Sequence, residues 1–115
     1  MDSLTLFKAL SDATRLRSVV LLASNDELCV CELAYALELQ QPKISHHLGA
    51  LRKAGVVCDR KAGLWTFYRI NPQLPRWAKA VIEAAVEEAG TQESALKDQA
   101  VLESMPDRPG AACCA

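Results

Sequence analysis

The sequence predicts a mainly α domain carrying one β-hairpin wing, and three observations lead there. A short helical run with Leu33, Ala36 and Leu37 is followed within a few residues by Gln40-Gln41-Pro42. Proline suits the first turn of a new helix, because its missing N–H would have no partner there anyway. In that second helix, residues 41–54, Ile44, Leu48 and Leu51 recur at i, i+4 and i+7, so one face packs inward and the other stays polar. Residues 56–60 and 64–70 are rich in β-formers and are separated by Lys61-Ala62-Gly63, which reads as a hairpin with glycine supplying the turn. Two short helices across a tight turn, followed by a hairpin, make a winged helix-turn-helix of about five to six helices plus a two-stranded hairpin.

The remaining elements follow from periodicity and punctuation. Leu4, Phe7 and Leu10 repeat at helical spacing, and Ser11-Asp12 supplies an N-cap for a second helix with Leu16, Val19, Val20 and Ala23 on one face. After the loop Ser24-Asn25-Asp26, Leu28-Cys29-Val30 is expected to form a short strand leading into the helix that carries Leu33, with Cys31 at its start. Gly55 is placed to end the helix of residues 41–54 in a left-handed conformation. Pro72 and Pro75 break the chain before a long helix in which Leu74, Trp77, Val81 and Ala85 line one side. Residues 93–105 are moderately helical, and Pro106, Pro109 and Gly110 then stop regular structure.

With 115 residues, half of them apolar, the chain fits one compact domain. We read a winged-helix domain for DNA binding and dimerisation at residues 1–105 and a flexible, cysteine-containing tail at 106–115. A domain this small has much surface for its volume, and pairing as a homodimer would cover apolar helix surface at Leu4, Phe7, Trp77, Val81 and Ala85. No stretch approaches the ~20 apolar residues that span a bilayer, and no basic flank precedes an apolar run near the start. The expected location is the cytoplasm, with no membrane partner.

The net charge of −1 is unevenly spread. Residues 40–70 hold six basic side chains against Asp59, whereas residues 83–103 hold six acids against Lys97. One basic face is thus available to phosphates on an otherwise acidic protein. Advancing ~100° per residue from Ile44, His46, Gly49 and Lys53 fall opposite the core face, with Lys43 and Ser45 on the flanks and Gln41 at the first turn. Gln, Ser, His and Lys suit base edges or phosphates in a groove. Arg52, Lys53, Arg60 and Lys61 are expected to neutralise phosphates and set the salt dependence of binding. His47 lies only ~60° from the core face, which predicts a hydrogen-bonded boundary histidine. Trp65 and Phe67 point to one side of their strand and Tyr68 to the other, which fits hairpin packing better than a platform for single strands.

Five cysteines, at 29, 31, 58, 113 and 114, are expected as thiols in a reducing compartment, and an odd count excludes a complete disulfide framework within one chain. Thiolates are soft ligands for thiophilic ions. If Cys29 ends the strand and Cys31 opens the helix, both sulfurs converge on one side, and the helix N-terminus favours a thiolate at Cys31. Cys58, beside Val56 and Val57, reads as packing. The adjacent Cys113 and Cys114 are placed to swing to a preformed site from a short tether. The same thiols admit a redox-sensing use, with Cys31 oxidising and pairing with Cys29 or a tail cysteine. No catalytic triad assembles, because His46 and His47 are the only histidines and both belong to the same helix, so the chain is not read as an enzyme.

With ELCVCELA at 27–34, QPKISHHL at 41–48, LRKAGV at 51–56 and the wing DRKAGLWTFYR at 59–69, the sequence resembles the ArsR/SmtB family of metal-responsive repressors, over residues 4–89. The resemblance is greatest to its arsenical repressors. It implies a homodimer that binds a palindromic double-stranded operator and leaves it when As(III) or Sb(III) binds. In such repressors the ion is held by three thiolates at the start of the helix before the recognition helix, two of them matching Cys29 and Cys31, whereas the third would align with Ala34. Cys113 or Cys114, Cys58 after movement, or the carbon of a methylated arsenical are the alternatives for the third place. The Cd(II)/Pb(II) sensors of the family share the Cys-Val-Cys but add cysteines from an N-terminal arm, and no cysteine precedes Cys29. Its zinc sensors use His and Asp on the last long helix, and residues 74–90 contain neither.

Overall fold

The computed structural model describes residues 1–108. In chain order these form α1 (Ser3–Leu10), α2 (Ala13–Asn25), β1 (Leu28–Cys29), α3 (Val30–Leu37), α4 (Gln41–Lys53), β2 (Val57–Ala62), β3 (Trp65–Ile70), α5 (Arg76–Ala89) and α6 (Glu93–Glu103). The caps are where the side chains demand them. Asp2 Oδ1 accepts the Thr5 N–H at 2.8 Å to start α1, and Asp12 Oδ2 accepts the Arg15 N–H at 3.0 Å to start α2. Gly55, at φ 84°, takes the left-handed turn that releases the chain from α4 toward the hairpin.

The hairpin is longer and its turn tighter than the sequence suggests. The ladder runs to the pair Ala62–Trp65, and Gly63-Leu64 alone make the turn. Gly63, at φ 62°, occupies the first central position, where a two-residue hairpin turn of type II′ needs glycine. Leu64 is therefore fully exposed at the wing tip and not a strand residue. β1 joins as a third strand, giving the order β1-β3-β2, with Leu28 opposite Tyr68 and Cys29 opposite Phe67.

The core lies between the helices and one face of this sheet. Leu6, Leu22, Leu28, Leu33, Ile44, Leu48, Leu51, Val56 and Leu102 are buried within it, and each such side chain contributes roughly 1.5–3 kcal/mol. The inward face of α4 is the predicted one. In α1, by contrast, Leu6 and Ala9 point inward, leaving Leu4 and Phe7 63% and 54% exposed. In α2, Thr14, Ser18, Leu21 and Leu22 are buried, Ala23 is exposed and Leu16 half-buried. α2 is central and touches neighbours on several sides, so a single-stripe reading does not describe it. Trp77 is exposed, Ala85 is half-buried, and Val81 packs partly against the core.

α6 is firmly attached. Asp98, buried in α6, receives a forked pair of hydrogen bonds from Arg17 at 2.9 and 2.7 Å, and Asn25 and Gln99 bond through their amides. Leu102 completes the core beside α3. Among the described residues no helix is long and apolar enough to cross a membrane.

Candidate nucleic-acid interface and thiol site

α4 presents Gln41, Lys43, Ser45, His46, Arg52 and Lys53 to solvent, with Pro42 in its first turn. A Cβ added at Gly49 would meet nothing within 4 Å, so glycine there leaves the helix surface low and open. The helix thus has the polar outward face and slim profile that a major groove admits.

His47 belongs to the boundary. Its Nδ1 lies 3.3 Å from an Arg15 guanidinium nitrogen and 3.7 Å from Asp12 Oδ2. Burial holds its pKa below the ordinary histidine value, against the opposing pull of Asp12. Arg15 also donates to the carbonyls of Ala9 at 2.8 Å and Lys8 at 3.2 Å, so one guanidinium ties the end of α1 to α4.

The basic residues divide into two groups. Arg60 is committed to Glu27 through two hydrogen bonds of 2.8 and 2.7 Å, and its guanidinium lies 4.9 Å from the Phe67 ring centroid. Arg52 is paired with Asp59 at 3.3 Å. Both guanidinium groups are thus already engaged: β2 lies against α4 and sets Asp59 beside Arg52, and the chain entering β1 sets Glu27 beside Arg60. Lys43, Lys53 and Lys61 are exposed and enter no ion pair among the described residues.

The thiols sit where strand meets helix. Cys29 ends β1 in an extended conformation (φ −85°, ψ 167°) and is itself the N-cap of α3, one residue earlier than the sequence places the helix start. Cys29 and Cys31 line one cleft of about 250 Å³, whose other walls include Gln41 and Ser45 of α4 and Leu64 and Trp65 of the wing. Burial pushes the Cys29 thiol well above its usual pKa, and a hydrogen bond with the Cys31 side chain adds to this. Beneath them Glu32 is wholly buried. Its Oε1 accepts the Cys29 N–H at 2.9 Å, and its Oε2 accepts the Arg108 Nε–H at 2.7 Å.

The same arrangement of elements is found in known regulators. The profile of the arsR family of bacterial regulatory proteins matches residues 12–58. The arsenic resistance transcriptional regulator ArsR1 of Pseudomonas putida is 48% identical over 103 residues, covering 90% of this chain and 79% of that protein. The chain belongs to the ArsR family. The arsenical resistance operon repressor of Escherichia coli is 52% identical over 80 residues, covering 70% of this chain and 68% of its own length. Among solved structures, HlyU from Vibrio cholerae superposes with a TM-score of 0.67 at 36% identity, covering 78% of this chain and 92% of its own. The protein is accordingly a DNA-binding transcriptional regulator of winged helix-turn-helix architecture.

Within this ArsR-family fold the remaining sulfur positions separate clearly. Ala34, the position the resemblance gives to a third thiolate, is buried and lines a different cleft with Tyr35 and Val101. Cys58 pairs with Arg69 on β2, separated from β1 by the intervening β3. Cys113 and Cys114 lie outside the described residues. Among those described, no group of three or more His, Cys, Asp or Glu side chains gathers as a metal site. Sequence reasoning missed Glu32 and Arg108. A capping box carries Glu three residues after its cap, and this one is hidden because its cap is a cysteine in place of Ser or Thr.

Proposed function

We propose that the protein represses an arsenic-resistance operon as a homodimer on a palindromic operator, and is released when As(III) or Sb(III) binds Cys29 and Cys31, with Cys113 or Cys114 as third donor. The observation that carries this reading is the shared cleft: the thiols face Gln41 and Ser45, two of the residues proposed to read DNA, with Trp65 of the wing beside them. Relatives in Pseudomonas putida and Escherichia coli that bear arsenic-resistance names support the choice of ion. The exposed side chains of Leu4, Phe7 and Trp77, with Val81 and Ala85 beside Trp77 on α5, form the apolar surface that a second copy covers.

The donor chemistry fits a trivalent metalloid. Arsenous acid is neutral, and each As–S bond forms as a thiol proton leaves with a hydroxide of arsenic as water. A buried, protonated Cys29 is no obstacle to that exchange. A divalent cation of the Cd(II) or Pb(II) type has no such hydroxide to give up, and must drive the proton off a thiol that burial holds in its neutral form. Arsenic held by Cys29 and Cys31 would bear at once on the start of α3 and, through the pairing of Cys29 with Phe67, on the wing strand β3. Gln41 and Ser45 move with the cleft wall, and operator affinity falls. By linkage, operator DNA weakens metalloid binding by the same factor.

Fluorescence anisotropy on a duplex carrying the promoter of the protein's own gene tests this. Cys29→Ser and Cys31→Ser proteins should bind the duplex as wild type does and fail to release it with arsenite. Release of either variant at wild-type arsenite concentrations refutes the reading. Release by peroxide but not by arsenite, reversed by reductant, replaces it with a thiol redox switch.

A further inference from the structure

A single guanidinium links α1, α2 and α4. Arg15, in the first turn of α2, donates through Nε to the Ala9 carbonyl at 2.8 Å and through Nη2 to the Lys8 carbonyl at 3.2 Å. Both carbonyls belong to the last turn of α1, where a helix lacks donors of its own. The other terminal nitrogen, Nη1, lies 3.3 Å from His47 Nδ1 on α4. A guanidinium can only donate, so in this contact Nδ1 is the bare ring nitrogen and the neutral imidazole carries its proton on Nε2. Asp12 Oδ2 stands 3.7 Å from the same Nδ1 and already accepts the Arg15 N–H as the N-cap of α2. On the outer side, the exposed His46 ring meets the His47 ring edge-on, with centroids 5.5 Å apart.

We propose that Arg15 is a positioning residue for DNA binding: by donating to neutral His47 it holds α4 against the end of α1 in the arrangement that enters the groove, and a proton on His47 Nδ1 undoes that hold. The inference concerns DNA binding itself and stands whatever the effector is. Once protonated, Nδ1 is a donor facing a donor and both groups are cations, so the contact turns repulsive. Burial opposes this proton most; Asp12, just ahead of α2, favours it, and Arg15 from α2 with His46 and Lys43 from α4 oppose it. From α1 the cluster receives the two carbonyls that hold Arg15. A charged ring therefore leaves Arg15 for Asp12, where it competes with the N–H that caps α2, and α4 shifts with it. The Arg15 N–H holds the Asp12 carboxyl below the usual carboxylate range, so among Asp12, Arg15 and His47 the imidazole is the group whose charge changes on mild acidification. Operator and proton then exclude one another, each weakening the other's binding by the same factor. A histidine that touches phosphates behaves in the opposite sense, because its proton adds an attractive charge. The sign of the pH dependence thus separates His47 from His46.

The test is anisotropy of the full chain on the promoter duplex at constant salt, from about pH 7.5 down to about pH 5, over the range in which circular dichroism shows each protein folded. At the upper pH His47→Ala should weaken binding about tenfold. His47→Asn, whose Oδ1 stands where Nδ1 does and takes no proton, should restore most of that loss. On acidification wild type should lose about tenfold in affinity relative to His47→Asn, which corresponds to a difference of about one pKa unit between free and bound protein. Arg15→Ala should bind weakly at neutral pH and fall no further on acidification than His47→Asn does, while Arg15→Lys recovers part of the affinity. In NMR titrations the His47 ring should take its proton at a lower pH in the duplex complex than in the free protein. Parallel profiles for wild type and His47→Asn, or a His47 that titrates at the same or a higher pH on DNA, overturn the proposal. An arginine that served stability alone would lower the Tm of Arg15→Ala and leave its pH profile as in wild type, which overturns it equally. Should Arg15→Ala fail to fold, the two His47 variants and the NMR titration decide the matter.

Discussion

The buried Cys29 thiol allows effector classes to be told apart by protons alone. Raising the pH from about 6.5 to about 8 is the perturbation, across a range where arsenous acid stays neutral and ordinary thiols stay largely protonated. Because burial pushes the Cys29 pKa up, its proton is still present throughout that range and must be displaced by any cation that binds there. Each displaced proton makes the binding constant rise about tenfold per pH unit, ~1.4 kcal/mol, so Cd(II) at Cys29 alone should gain about 30-fold over the interval. Arsenite exchanges hydroxide for thiol with no net proton release, and its binding constant should change less than about threefold. Isothermal titration in two buffers of different ionisation enthalpy counts the protons directly, and anisotropy of operator release gives the matching midpoints. An arsenite affinity that rises tenfold per pH unit, or a Cd(II) affinity that stays flat, refutes the argument from a neutral thiol.

Three further outcomes are expected. Lys43→Ala, Lys53→Ala and Lys61→Ala should each lower the slope of log K against log salt for operator binding by up to about 1, whereas Arg60→Ala should lower it less because Glu27 already holds that guanidinium; equal slopes for all four would contradict this division. Phe7→Glu places a charge in the exposed apolar surface and should yield a monomer in sedimentation with operator binding weakened at least tenfold; a persistent dimer would move the interface elsewhere. Burial depresses the His47 pKa in the fold, so the unfolded chain binds the proton more readily, and the stability from this group is present above about pH 6.5 and lost as pH falls through the folded value. Thermal melts of wild type and His47→Gln should diverge below that pH, and parallel curves would remove His47 from the acid response.

The sequence by itself determined the elements and their order. A proline at the first turn of α4, the i, i+4, i+7 spacing of Ile44, Leu48 and Leu51, and glycines at 55 and 63 are local signals, each fixing backbone conformation or facing within a few residues. The Cys-Val-Cys pair at a strand-to-helix junction was legible for the same reason. What only the tertiary structure decided are the partnerships between residues far apart in the chain. Arg60 meets Glu27 because β1 and β2 both pair with β3, and the thiols face Gln41 because the turn between α3 and α4 folds one helix start against the other. The sequence also places the end of the domain at residue 105, yet Arg108 returns to the buried Glu32. Periodicity reports which face of an element is apolar; it carries no information on which distant charge a buried carboxylate will find. In this protein that carboxylate joins the C-terminal end of the described chain to the pair of cysteines proposed to sense arsenic.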